Sequence, residues 1–337
     1  MILIPRPKAL AELDGQYLLS EHTKIMLCAS ADYSIISAAK TLSQEIKNAC
    51  GFDIMVTKSF TPCEIAILVN DSTDETYRLQ ISQDGIIILG SARGVFYGIQ
   101  PLRHLIKQYA PCLPACKSTD APYFAVRCVY FDVTRGRVLT LDRLKMLVDE
   151  LAHYKMNQFQ FYIENAFPFE RISEMWAGRG YITPDEILEL DQYCKERYIE
   201  LVPSLATFGH MYDLLSTSKY RNLSEVEGDP DAMDYWTQKA MHHTIDVENP
   251  KSIELIKGLL DQYIPLFSSN KFNICCDETN DLGKGKNKEK ADAAGTGRLY
   301  IDFMNQVMDY VRSFGKQPMF WGDIITKHPE LMNEIGK

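Results

Sequence analysis

Lys271-Phe272-Asn273-Ile274-Cys275-Cys276-Asp277-Glu278-Thr279 is the stretch on which the fold turns. Phe272 to Cys276 is short and mostly apolar and predicts a buried parallel strand, with Cys275 and Cys276 inside it. Two adjacent carboxylates, Asp277 and Glu278, follow at its end. Asn280 to Lys290, rich in Gly and Lys, then predicts a mobile, solvated loop. In a barrel of alternating strands and helices, catalytic groups sit at the C-terminal ends of the strands, so an acid pair at this point fits that architecture. The dipeptide alone carries little: Asp-Glu also occurs at 74–75, 149–150 and 185–186, and unpaired acids are mostly solvated. Those three pairs follow a polar turn, lie within a helical pattern, or open a helix. Only Asp277-Glu278 directly follows an apolar strand.

Outward from that stretch, strand and helix patterns alternate from Val126 onward. Val129 to Val133 reads as a strand, and Thr140 caps a helix with Leu141, Leu144, Leu147, Val148 and Leu151 on one face. Phe159, Phe161 and Ile163 alternate with polar neighbours in a second strand. Thr183-Pro184-Asp185-Glu186 is a capping box with Pro at the first helical position, opening a helix to about Arg197. Glu200 to Ser204 is a third strand. Asn249-Pro250 opens a helix with Ile253, Ile256, Leu260 and Tyr263 inward, which leads to the fourth strand at 272–276. Arg298 to Phe314 is helical, Gly315 stops it, and Gln317 to Trp321 is the fifth strand, with a further helix expected after it.

Repeated strand–helix units imply parallel strands in a barrel or a doubly wound sheet. No Gly-x-Gly-x-x-Gly or Walker sequence follows a strand, and Gly283-Lys284-Gly285-Lys286 lacks phosphate-loop spacing and precedes no clear helix. An eight-unit barrel takes about 250 residues. With five units and a long insertion at Thr207 to Thr244, the barrel is expected to be incomplete here and the chain to be a fragment.

Residues 1–120 read as a small α/β domain ahead of the barrel at 121–337. Strands are expected at Lys24 to Cys28 and Glu64 to Val69, a helix at Tyr33 to Ala49 stopped by Gly51, and a hairpin across Gln83-Asp84-Gly85. A helix follows at Ala92 to Gln108. Ala110 to Pro122, with three prolines, reads as the linker.

At 337 residues, one large domain plus a smaller one is expected. A hydrophobic content of 46% and a charged content of 24% are ordinary for a globular protein. The net charge of −9 argues against a nucleic-acid partner, and no apolar run is long enough to cross a bilayer. The start, Met1-Ile2-Leu3-Ile4-Pro5-Arg6-Pro7, shows no secretory signal. Nine cysteines without metal spacing predict reduced thiols and a cytoplasmic location. No cofactor is expected. Nor is a metal, since His242-His243 precedes a polar loop and no His-x-His begins a strand.

Several stretches together resemble glycoside hydrolase family 20, the β-N-acetylhexosaminidases. Arg93-Gly94-Val95-Phe96-Tyr97-Gly98-Ile99-Gln100 looks like the signature closing that family's small domain. Arg127-Cys128-Val129-Tyr130-Phe131-Asp132-Val133-Thr134-Arg135 looks like its first barrel strand, and Tyr154-Lys155-Met156-Asn157 like the approach to the second. Phe208-Gly209-His210 stands where the family usually shows Pro-Gly-His. Cys275-Cys276-Asp277-Glu278 stands where it often has Gly-Gly-Asp-Glu. After the second strand the family commonly carries histidines and two aspartates; Tyr162-Ile163-Glu164-Asn165 stands here, which is similar to a divergent branch.

The resemblance implies release of terminal β-linked N-acetylhexosamine from an oligosaccharide or glycoconjugate by a retaining, substrate-assisted route, in which the sugar's own acetamido oxygen is the nucleophile. Glu278 would be the acid and then the base, and Asp277 would orient the acetamido N–H. Neighbouring carboxylates resist double ionisation, which favours dividing the two roles. Arg135 is a candidate for sugar hydroxyls or for a salt bridge on the rim. His210 is a candidate partner of Glu164 that tunes Glu278, or a satisfied core histidine. Trp321 is a candidate wall for the acetamido pocket, or barrel packing, and Asp132 is expected to make structural hydrogen bonds. Two alternatives remain: a relative acting on unacetylated galactosamine or another sugar, and a non-catalytic carbohydrate-binding fragment.

Overall fold

Asp32 accepts the Ile35 amide at 2.9 Å and so starts the first helix of a computed structural model that describes residues 1–61, 63–227, 234, 237, 239 and 241–336. The helix belongs to a unit made of Met1–Arg127, Met146–Asn157 and Tyr193–Ile199. Its elements are β1 (Ala9–Leu18), β2 (Lys24–Leu27), α1 (Tyr33–Cys50), β3 (Met55–Lys58), β4 (Ile65–Val69), β5 (Tyr77–Ser82), β6 (Gly85–Gly90), α2 (Ala92–Tyr109) and β7 (Cys112–Asp120). The seven strands form one sheet in the order β1-β7-β5-β6-β4-β2-β3. Helical spacing in α1 buries Ile35, Ala39, Leu42 and Ile46, and Gly51 ends it in the left-handed conformation. The expected hairpin is present, with Tyr77 opposite Gly90 and Ser82 opposite Gly85.

The expected linker is not a linker. Residues 112–120 form β7, which lies between β1 and β5 in the sheet. A proline removes a ladder donor and is tolerated where no partner strand needs it. Pro114 meets that condition on one side, because the pairing of β5 with β7 ends at Cys116. On the other side the β1 register shifts between Glu12 and Gln16, next to the Gln16–Pro114 pair. β1 itself carried no sequence signal because most of its residues are exposed, which leaves no alternation to read.

The second unit comprises Cys128–Lys145, Gln158–Gln192 and Glu200–Lys337. Along the chain from Cys128 run β8 (Cys128–Asp132), α3 (Leu141–His153), β9 (Gln158–Ile163), α4 (Pro184–Lys195), β10 (Glu200–Leu205), α5 (Pro250–Tyr263), β11 (Lys271–Asn273), α6 (Lys288–Ala294), α7 (Thr296–Ser313) and β12 (Gln317–Met319). The five strands are parallel and lie in sequence order, β8-β9-β10-β11-β12. That is the winding of a (β/α) barrel; a doubly wound sheet reverses its order at a switch point. Every residue of β9 is buried, so its apolar–polar alternation marks two covered faces and not one wet one. Gln158 and Gln160 are paired with Glu200 and Asn273 at 3.0 and 3.2 Å. The capping box forms as read: the Thr183 amide donates to Glu186 at 2.8 Å and Thr183 Oγ1 accepts the Glu186 amide at 3.2 Å.

Three expectations in this unit need correction. β11 ends at Asn273 and not at Cys276, because the chain turns out of the strand conformation there. The Gly-Lys segment is held in place and does precede a helix, α6. The buried Glu225 carboxylate accepts the backbone amides of Gly283, Gly285 and Asn287 at 3.0, 3.1 and 3.2 Å. It also accepts the Asn287 side-chain amide. The glycine-rich amides that resembled an anion cradle hold one, supplied by the chain itself. After β12 the chain forms two 3-10 segments, Ile325–Lys327 and Pro329–Glu334, in place of the expected helix. Within the insertion at 207–244, residues 228–233, 235, 236, 238 and 240 lie outside the described residues.

Candidate active site

The strand registers set the site. Asp132 pairs with Tyr162, Tyr162 with Ser204, Ser204 with Asn273, and Asn273 with Met319, which makes one row across the sheet near the strands' C-terminal ends. Arg135, Glu164, His210, Asp277, Glu278 and Trp321 all follow that row in their segments. In a parallel barrel this is the face on which reacting groups collect.

Beyond Asn273 the backbone takes a strained route. Cys275, Cys276 and Glu278 have φ of 61°, 64° and 51°. For residues with a Cβ this left-handed region costs on the order of 1–2 kcal/mol each. Hydrogen bonds from distant residues hold it. The Cys275 amide donates to Asn273 Oδ1 (2.9 Å), and the Trp321 amide donates to the Cys275 carbonyl (2.9 Å). The Tyr300 hydroxyl donates to the Cys276 carbonyl (2.9 Å), and the Glu278 amide donates to Asp323 Oδ2 (3.0 Å). Strain of this kind collects where geometry serves a function.

His210, itself at φ 57°, stands between the two acids. Its Nε2 lies 3.3 Å from Asp277 and 3.4 Å from Glu278. Its Nδ1 is 3.1 Å from Arg135 Nη2. A guanidinium only donates, so Nδ1 accepts there and the ring proton sits on Nε2, facing the carboxylates. Arg135 also pairs with Asp132 at 2.5 Å and with Glu164 at 2.8 Å. Asp132 Oδ1 accepts the amides of Thr134 and Arg135, the structural task expected of it. The Glu164 side chain is 2% exposed. It accepts the Tyr162 hydroxyl at 2.8 Å and lies 3.8 Å from Lys239.

Burial works against charge on His210, but hydrogen bonding to Asp277 and the charges of Asp277 and Glu164 outweigh it and raise its pKa above the ordinary histidine value. Burial would likewise push Asp277 up, yet the hydrogen bond and charge of His210 hold its carboxyl below the usual range. Asp277 is therefore an anion at neutral pH, while Glu278, 62% exposed, reaches outward.

Trp321 is 40% exposed and meets Tyr130 edge to face at 5.2 Å, and Tyr130 stacks on Tyr162 at 5.6 Å. The three rings offer an aromatic surface to an apolar ligand face. A cleft of about 540 Å³ adjoins Arg135, with Thr134, Asn165, Arg179, Tyr212 and Asp213 among its walls.

Five of the six residues expected from sequence thus form one network, and Trp321 joins it through the Cys275 carbonyl and Tyr130. Sequence reasoning missed Asp323, Tyr130, Tyr300 and His243. Asp323, two residues past Trp321 on the same strand end, carried a signal of position. His243 had been read only as a poor metal ligand, yet its ring lies 4.6 Å from that of His210, centroid to centroid. Its Nε2 accepts the His210 amide at 3.3 Å. His210, His243 and Glu278 offer three ligand atoms, all within 4.8 Å of one another. No helix among the described residues is long and apolar enough to cross a membrane.

The family model described as glycosyl hydrolase family 20, catalytic domain, matches residues 124–335, and the model for domain 2 of the same family matches residues 1–121. The chain is 23% identical to a lacto-N-biosidase of Bifidobacterium bifidum, over 98% of this chain and 31% of that protein. It is 24% identical to a β-hexosaminidase of Porphyromonas gingivalis, over 96% of this chain and 45% of that one. The chain therefore spans less than half the length of either relative. Among solved structures it is similar to a chitobiase of Flavobacterium johnsoniae, with a TM-score of 0.82 and 23% identity, over 96% of this chain and 52% of that one. That likeness shows the fold: an α/β barrel of the TIM type with an N-terminal α/β domain.

Proposed function

The chain belongs to glycosyl hydrolase family 20, and from that membership we propose that it acts in releasing terminal β-linked N-acetylhexosamine, GlcNAc or GalNAc, from oligosaccharides or glycoconjugates. The observation that carries the proposal is His210 Nε2, held 3.3 Å from Asp277 and 3.4 Å from Glu278 and locked from behind by Arg135.

In this reading the 2-acetamido oxygen of the bound sugar attacks the anomeric carbon as the Glu278 proton passes to the leaving oxygen. A cyclic oxazolinium-like intermediate results. Water then opens it, giving its proton to Glu278, and the anomeric configuration is retained. Asp277 accepts the acetamido N–H and offsets the positive charge that develops there. Its depressed pKa supports that role, since only an ionised carboxylate does both. His210 keeps Asp277 anionic and in position. Arg135 donates to ring hydroxyls, fixed by the buried Glu164, while Trp321 and Tyr130 cover the sugar's C–H face and the acetamido methyl.

We assign the reaction to residues 121–337, with 1–120 as the accompanying domain. The nine cysteines, none joined in a disulfide among the described residues, support a reducing cytoplasmic setting. The test is hydrolysis of nitrophenyl β-GlcNAc, β-GalNAc and β-galactosaminide by this chain and by the full reading frame that encodes it. Preference for an acetylated substrate and tight binding of a thiazoline inhibitor are expected. Preference for the galactosaminide, with Asp277 facing an ammonium group, would replace the substrate assignment. Thiazoline binding without turnover in either form would reduce the chain to a binding module.

A further inference from the structure

We propose that His210, His243 and Glu278 form a site for a divalent transition metal, of which Zn²⁺ is the best match, and that its occupancy switches off the acid pair. The three ligand atoms all lie within 4.8 Å of one another. Around a tetrahedral Zn²⁺, with bonds of about 2.0–2.2 Å, neighbouring ligand atoms stand about 3.4 Å apart. His210 Nε2 and Glu278 Oε2 are already separated by 3.4 Å. The remaining pairs lie within 4.8 Å, so each must close by at most about 1.4 Å, to which the 62% exposed Glu278 side chain can contribute.

The chemistry of the set is as suitable as its spacing. Two imidazoles and one carboxylate are a known Zn²⁺ donor set that leaves a fourth position for water. Histidine ligands are normally oriented by a second partner on their other nitrogen. His243 already turns its Nε2 toward His210. That nitrogen now accepts the His210 amide at 3.3 Å, a long bond that the metal would replace. His210 has Glu164 Oε1 at 3.7 Å from Nδ1. For Nε2 to bind the ion, the ring proton moves to Nδ1, and Arg135 Nη2, now 3.1 Å away, turns aside so that Glu164 Oε1 closes in from 3.7 Å to accept it. Asp277, 3.3 Å from His210 Nε2, adds negative charge beside the cation.

Binding and inhibition are separable claims. The metal site rests on geometry alone; the inhibition rests on the proposed function, because a Glu278 carboxylate bound to Zn²⁺ has no proton to deliver. Calorimetric titration of the chelator-treated chain with ZnCl₂ is expected to show one equivalent bound, weakened at least about tenfold by His243→Ala. CoCl₂ should give the visible absorption of a tetrahedral ion in the wild type and lose it in the variant. Glu278→Gln, at an exposed side chain, provides a second variant should His243→Ala fail to fold. Zn²⁺ affinity unchanged in a folded variant would overturn the proposal and assign the binding to the cysteines. Zn²⁺ binding that needs His243, in a chain that hydrolyses no nitrophenyl glycoside when metal-free, would sustain the site and overturn the glycosidase reading alone.

Discussion

The Asp277 backbone carbonyl lies 2.3 Å from the point where a Cβ on Gly209 would stand, so the two segments that carry the acid pair and His210 touch through a space only glycine leaves open. Residue 209 is not in the left-handed region, so the demand is for space and not for backbone freedom. Gly209→Ala is expected to push the 275–278 turn away from His210. A displacement of about 1 Å at a reacting group is worth roughly a hundredfold in rate, so kcat/KM should fall between about tenfold and a hundredfold. Kinetics alongside a melting curve check this; an unchanged rate in a folded variant would detach the turn's position from activity.

Glu278→Gln removes the proposed acid and leaves the pocket in shape. Loss of a general acid is worth about 10²–10⁴ in rate. The loss should be largest for substrates with poor leaving groups, while thiazoline affinity is kept. Asp277→Asn should instead weaken thiazoline binding, because the amide cannot offset charge on the ring nitrogen. Undiminished cleavage by Glu278→Gln is the result the reading does not survive.

Glu225 anchors the segment that follows the acid pair. Glu225→Gln turns one acceptor oxygen into a donor facing the Asn287 amide. Hydrogen bonds to a buried charged group are worth about 1.5–3 kcal/mol, and a loss near 2 kcal/mol is expected in urea unfolding. Hydrogen exchange at the Gly283, Gly285 and Asn287 amides should quicken. Exchange rates that match the wild type would mean that the cradle does not hold the loop.

A pH dependence of stability follows from His104 and His153, whose rings meet edge to face at 4.3 Å. Burial first, and then the cations Lys107, Lys155 and Arg103, lower His104 from 6.5 to about 4. Burial and Arg103 lower His153 to about 3. His153 Nδ1 has no hydrogen-bond partner among the described residues. Unfolded, both histidines take up protons near pH 6.5; folded, they do so only near 4 and 3. Stability from this pair is thus complete above about pH 6.5 and declines as pH falls toward 3. Melting temperature against pH should show that decline, and His153→Phe should flatten it; equal slopes would remove the pair as its cause.

Local patterns made much of this molecule legible. Helical spacing in α1, the capping box at Thr183, the β5–β6 hairpin and the five strand–helix units are properties of neighbouring residues, and they led to a parallel sheet with the acid pair just beyond one of its strands. What misled was local as well. Three prolines made the 110–122 stretch look like a linker, although β7 holds only Pro114 and its partner strands leave room for it. Two cysteines looked like strand, although Tyr300, Trp321 and Asp323 hold the segment at positive φ. A run of Gly and Lys looked mobile, although Glu225, more than fifty residues away, fills its amide cradle.

By itself, the order of residues determined the succession of elements, the parallel pairing of the strands and which carboxylates follow them, because periodicity and caps act over a few positions; the strand order chose between a barrel and a doubly wound sheet. Only the tertiary structure decided that His210 sits between Asp277 and Glu278, that Gly209 makes room for them, and that His243 closes a third side. Those contacts join segments far apart in sequence, and no pattern along the chain encodes the distance between them.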